Sequence, residues 1–199
     1  IRKLADRLVD VDLLDQAAEI LEAQVKTRLN GELKSRVGAR LAVVYLLSRR
    51  YDRALMALDA SYVSSEPAEL IVQRRHLRAR ALMGLEQSEL VLKTLEKDKT
   101  TNADLLRAEL FSNGNDWNNA SRELLKIMRE SGVKKKKEVN QDQAQKVLNY
   151  AIALVLAGNE RALARVRRDY GAAVRNTNLK DAFQLVTSPR ELGLINPSS

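Results

Sequence analysis

Four positions recur along this chain at fixed offsets, and that recurrence limits the fold more than any other feature. In the stretch 40–58, RLAVVYLLSRRYDRALMAL, they are Ala42, Tyr45, Ala54 and Leu58. The stretch reads as a helix, a short polar break and a second helix. Small residues at 42 and 54 let two antiparallel helices approach closely. Large residues at 45 and 58 fill the space beside that contact.

Taking Ala54 as an anchor, the equivalent positions are Ala17, Val91, Ala120 and Ala162, so the spacing runs 37, 37, 29 and 42. Twelve residues before the anchors stand Ala5, Ala42, Ala79, Ala108 and Tyr150. Nine before stand Leu8, Tyr45, Leu82, Phe111 and Ala153, and four after stand Leu21, Leu58, Leu95, Leu124 and Val166. The first four units keep the order small, large, small, large; in this register the fifth keeps only the last two. The breaks at Val11-Asp12, residues 48–50, 84–86, 113–116 and 158–159 fall just before each second helix. Gly and Asn favour the left-handed conformation that ends a helix, and Asp116 and Asn159 are placed to cap the next one.

The reading is therefore an all-α chain of five helical hairpins at about 1–23, 32–62, 68–97, 102–130 and 140–169, a final helix at 179–187 and a tail over 188–199. Composition agrees. Only three Pro and eight Gly occur in 199 residues, and the 45% hydrophobic content supplies a core that must be mostly aliphatic, because aromatics make up 4%. One hairpin cannot bury both of its helices, so stacked hairpins share a continuous core. Residues 1–187 are then one repeat array, with residues 131–140 (SGVKKKKEVN) as its longest irregular segment. The chain starts at Ile1, inside an expected helix, and reads as a piece of a larger protein whose compartment the sequence leaves open. Its most apolar run, YAIALVLA over 150–157, is far shorter than the roughly 20 residues that span a bilayer.

These residues resemble the tetratricopeptide repeat (TPR), a helical hairpin of about 34 residues. Leu41-Ala42, Tyr45, Tyr51, Ala54 and Leu58 match its pattern in the second unit. Ala108, Phe111, Trp117, Ala120 and Leu124 match in the fourth, and Ala5, Leu8, Ala17 and Leu21 in the first. The opening Trp of the family is absent, with Gly38 in its place, and the closing Pro is not regular. The resemblance covers residues 1–169. It implies a right-handed α-solenoid with a C-terminal capping helix, of the kind found in larger bacterial TPR proteins, whose concave face binds a protein partner.

By that resemblance the partner-facing positions are Arg36, Ala39, Val43 and Leu46 in unit two, and Gln73, His76, Arg80 and Met83 in unit three. Unit four contributes Asn102, Leu105, Glu109 and Ser112, and unit five Ala144, Val147, Ala151 and Leu154. Such a wall is basic and polar near unit three and apolar near unit five. It suits a protein or peptide with an acidic part and an apolar anchor. The run 74–80, RRHLRAR, could instead be a solvated face carrying salt bridges.

Charge is uneven. Residues 131–180 hold eleven Lys or Arg against four Asp or Glu, out of a net +8 for the chain. Lys134, Lys135, Lys136 and Lys137 form a loop cluster, and Arg161, Arg165 and Arg168 form a stripe at helical spacing. Together they are a candidate basic patch for an acidic protein, nucleic acid or anionic lipid; as a surface that keeps the chain soluble they need no partner. Nucleic acid is the less favoured partner, because one-base-per-repeat readers need near-constant spacing and no aromatics interleave with the patch. A membrane role would come only through the parent protein, and open repeat ends could stack on a second copy. With no Cys, one His and no phosphate-binding or hydrolase motif, the sequence points to a non-enzymatic scaffold without a cofactor or a metal site. The nucleic-acid-binding repeat and the self-assembly module are the alternatives.

Overall fold

The computed structural model describes residues 13–27 and 29–188. Among these the chain is all-helical, with ten helices and no strand. In order they are α1 (Leu14–Thr27), α2 (Gly31–Leu47), α3 (Tyr51–Ala60), α4 (Ala68–Gly84), α5 (Ser88–Leu95), α6 (Thr101–Asn113), α7 (Trp117–Glu130), α8 (Gln141–Leu156), α9 (Glu160–Val174) and α10 (Lys180–Thr187). The first helix expected from the sequence, with Ala5, Leu8 and the break at Val11-Asp12, lies outside the described residues, as do 189–199 of the expected tail.

The turns between α2 and α3, α4 and α5, α6 and α7, and α8 and α9 share one hydrogen-bond pattern. Arg50, Gln87, Asp116 and Asn159 each donate a backbone N–H to the carbonyl five residues back, at 2.7–2.9 Å. The residue before each of them bonds three residues back, at 3.0–3.1 Å. This is the Schellman closure of a helix, and it needs a left-handed residue just past the helix end. That residue is Arg49 (φ 56°), Glu86 (φ 59°), Asn115 (φ 58°) or Gly158 (φ 65°). Each turn then starts the next helix without an intervening loop: Ala54, Val91, Ala120 and Leu163 donate to the carbonyls of Arg50, Gln87, Asp116 and Asn159.

Counting from the left-handed residue corrects the register of the last unit. Seven residues before it stand Ala42, Ala79, Ala108 and Ala151; four before stand Tyr45, Leu82, Phe111 and Leu154. Helix α8 therefore keeps the small–large pair, which Tyr150 and Ala153 do not supply. The slip lies in α9, where Ala162 and Val166 are buried although Leu163 holds the place equivalent to Ala54. Helix α9 packs against α8 and also carries α10, and that second neighbour turns a different face inward.

The chain divides into two compact units, 1–107 and 108–199, with the break inside α6. In the first, α2 packs on α1, α3 and α4, and α4 packs on α3 and α5. Its core is aliphatic around Leu21, Val37, Leu41, Val44 and Leu58, with Tyr45 the largest buried side chain. Gly38 sits where α2 passes the end of α3. A Cβ there would lie 1.8 Å from Ser61 Oγ, so only glycine permits this approach. In the second unit, α8 packs on α7, α9 and α10. Met128, Val147, Leu148, Leu154, Val166, Val174 and Phe183 form its core.

Helices α7, α8 and α9 start on side-chain caps, as does α6, where Thr100 Oγ1 accepts from Ala103 N at 3.3 Å. Asp116 Oδ1 accepts from Asn119 N at 3.1 Å, and Asn159 Oδ1 from Ala162 N at 3.1 Å. Asn140 and Gln143 form a reciprocal capping box at the start of α8. In contrast α2, α3, α4 and α5 begin without a side-chain cap. No described helix is long and apolar enough to cross a membrane.

Candidate partner-binding cleft

Helix α4 carries RRHLRAR, and its 3.6-residue period sends those cations in different directions. Leu70 and Arg74 point inward. The Arg74 and Glu66 side chains are 8% and 5% exposed, and Arg74 Nε lies 3.2 Å from Glu66 Oε1. Arg74 also donates to the Ser35 carbonyl at 2.8 Å, to the Leu58 carbonyl at 2.5 Å and to Ser61 Oγ at 3.1 Å. Burial lowers the pKa of the guanidinium from its ordinary value, and Glu66 offsets part of that. Arg74 is thus a buried tie between α2, α3 and α4.

On the next face, Arg75 Nη1 and His76 Nε2 reach Asp98 Oδ2 at 2.9 and 3.1 Å. The Asp98 side chain is 1% exposed, and its other oxygen accepts from Thr100 N (3.0 Å) and Thr100 Oγ1 (2.7 Å). Burial alone would raise the Asp98 pKa. The bonds from Thr100 and Arg75 and the charge of His76 outweigh it, holding the carboxyl well below the usual range. Arg78 pairs with Asp59.

The third face opens on a cleft of about 360 Å³. Gln73, His76 and Arg80 line one side, spaced three and four residues apart on α4, and Thr100, Asn102 and Leu106 lie opposite. Glu69 stands at the rim with Arg36 Nη2 at 3.2 Å, and Arg36 Nε also holds Glu32 at 2.6 Å. Arg80 is exposed and has no ion-pair partner among the described residues. The cleft therefore presents a fixed imidazole, an uncommitted guanidinium and two amides.

Of the positions named from the sequence, Gln73, His76, Arg80 and Asn102 share this cleft, and Arg36 reaches its rim through Glu69. Met83 is half-buried and does not line it. Ala39 is 2% exposed and belongs to the packing of the unit, not to a binding face. Val43 is half-buried, and Leu46 packs against the core. The apolar wall expected from Ala144, Val147, Ala151 and Leu154 is corrected outright: all four are at most 2% exposed. Helix α8 is covered by α7, α9 and α10, so these residues form the core of the second unit. Leu105 and Glu109 are exposed, and Ser112 donates to the Ala108 carbonyl at 2.7 Å.

The basic patch is partly assembled. Val133 is buried, and the turn of Lys134, Lys135, Lys136 and Lys137 is pinned to α9 at one residue, Asp169. Lys136 N donates to the Asp169 carbonyl at 2.9 Å, and Lys135 Nζ lies 3.1 Å from Asp169 Oδ2. Arg168 Nε reaches Oδ1 of the same carboxylate at 3.0 Å. Arg168 and Lys135 hold that carboxyl below its ordinary value. Arg161 and Arg165 are exposed further along α9. The stripe expected from the sequence ends at Arg168 and misses Arg175, which continues it one heptad later. Among the described residues no group of three or more His, Asp or Glu could hold a metal ion.

No family model matches this sequence, and no significant match was found among curated proteins or solved structures.

Proposed function

We propose that the chain is a non-enzymatic, TPR-like helical-repeat scaffold within a larger protein, and that it binds the acidic segment of a partner protein in the cleft along α4. In this reading the helix pairs stack as a solenoid of about five hairpins, closed by α10. The four turns of one geometry support that arrangement. The observation that carries the binding assignment is the convergence of Gln73, His76 and Arg80 on one cleft with Asn102. Arg80 supplies a fork for a carboxylate, and the amides of Gln73 and Asn102 pair with a peptide backbone. His76 is oriented for this by Asp98, and Leu106 gives an apolar floor.

Selection from a library of displayed peptides tests the proposal. Peptides rich in Asp or Glu are the expected outcome, and Arg80→Glu should weaken the selected peptides by about tenfold or more, the order of one charge-assisted pair. Unaltered binding to a folded Arg80→Glu variant would remove the cleft from consideration.

A further inference from the structure

A second cleft, of about 390 Å³, lies between α9 and α10 in the second unit. Four of its lining residues are cations: Arg167, Arg168, Arg175 and Lys180. No Asp or Glu lines it. The four come from three places, the middle of α9, the residue that ends it and the first residue of α10. The fold has therefore gathered them; a single basic helix face would not do so.

Two of them are positioned by the protein. Arg167 Nη1 lies 3.5 Å from the Thr187 carbonyl oxygen on α10, and Arg168 is braced by Asp169. That carboxylate is already shared with Lys135, so it neutralises little of the local charge. Arg175 and Lys180 have no ion-pair partner among the described residues. Like charges facing one space repel, and an anion held among these four exposed side chains would relieve that repulsion. Gly171 and Ala172 form a floor with little side chain to fill it, and Phe183 also lines the cleft.

We propose that this cleft binds a small ligand carrying two or more phosphate groups. The volume falls at the lower end of small-ligand clefts, about 300–1,000 Å³, so a compact molecule fits. A monoanion would satisfy one of the four cations. Adjacent phosphoryl groups offer several oxygens to the planar forks of three arginines at once. This site is separate from the cleft along α4 and does not depend on the scaffold reading.

Titration calorimetry of the full chain with inorganic tripolyphosphate tests it. The wild type should bind one equivalent saturably at low salt. Arg175→Ala with Lys180→Ala should weaken binding by about tenfold or more, as expected for losing two charge-assisted contacts. Ala172→Trp, which fills the floor without changing charge, should weaken it comparably. Lys134→Ala with Lys137→Ala removes the same charge outside the cleft and should change affinity by less than about twofold, since exposed charges are screened. Circular dichroism confirms that each variant is folded; should the alanine pair unfold, Ala172→Trp decides. The proposal is overturned if tripolyphosphate does not bind saturably, or if Ala172→Trp binds normally. It is overturned equally if the lysine pair matters as much as the cleft pair. A single-stranded RNA oligomer that binds more tightly, and is weakened mainly by the lysine pair, would show instead a general basic surface.

Discussion

The two units solve the same problem with different chemistry. The first begins its helices α2 to α5 without side-chain caps and ties them with buried ions. Arg74 bridges to backbone carbonyls of α2 and α3 as well as to Glu66, and Asp98 gathers Arg75, His76 and Thr100. The second unit caps α7, α8 and α9 locally with Asp116, Asn140 and Asn159; its buried Asp169 ties the 134–137 turn to α9 rather than one helix to another, and its helices meet through aliphatic packing and Phe183. Ties between helices are long-range and fix how elements meet, whereas caps fix where each element starts. The difference teaches that helix geometry in such a chain can be specified either by a few desolvated, many-bonded side chains or by single local bonds repeated at each helix start.

Mutation can break this contrast, and the largest effect is expected at Arg74. Arg74→Ala should cost about 3–5 kcal/mol by urea denaturation, because Glu66 is left buried without its partner; a loss under about 1 kcal/mol would deny the first unit its distinguishing tie. Asp98→Asn should cost about 1.5–3 kcal/mol at neutral pH, the range for hydrogen bonds to a charged group. The Asp98 carboxyl has a depressed folded pKa, so its contribution is complete above the ordinary Asp value near 4 and is lost as pH falls through the depressed one. The gap between wild type and variant should therefore hold from neutrality down to about pH 4 and narrow below it. A gap that stays constant under acid would show that the carboxylate charge is not what stabilises the network. Asn140→Ala should cost only about 1 kcal/mol, with faster hydrogen exchange confined to the start of α8. A larger, global effect would mean that the second unit also depends on a single tie. The smallest change is a gain: Glu86→Gly should raise stability by about 0.5–1 kcal/mol by relieving a left-handed non-glycine residue. A similar gain from Arg49→Gly would show that the turns are interchangeable.

Helices and turns were legible in the sequence because their signals are local. Polar or glycine-containing breaks stop each helix, and the small–large alternation marks the buried stripe. Gln73, His76 and Arg80 were legible as one face because three- and four-residue steps keep side chains together on a helix. Arg74 was not, since an arginine one residue from Gln73 reads as solvated until Glu66, Ser35 and Leu58 are seen around it. Asp98 lies 22 residues from His76, and nothing in its neighbourhood announces the pairing. The face of α8 was misread for a different reason. A helix enclosed on several sides is apolar on more than one face, and its period does not say which face is open. The cation cleft was half visible, as a basic stripe on α9, but Lys180 joins it only through the packing of α10.

The shared turn has a consequence for how such a chain can change over evolutionary time. Its left-handed position is filled by Arg49, Glu86, Asn115 and Gly158, four residues with nothing chemical in common. The turn geometry is thus imposed by the helices on either side and tolerates mutation at its own tip. The intervals between successive tips are 37, 29 and 43 residues, so length differs between turns while each turn stays constant. The difference in length is taken up by the connecting segments, of which residues 131–140 are themselves held to α9 through Asp169. A duplicated gene segment cut at such connections would add or remove a whole pair, and new surface chemistry would arise first in the connections, where length already differs from pair to pair.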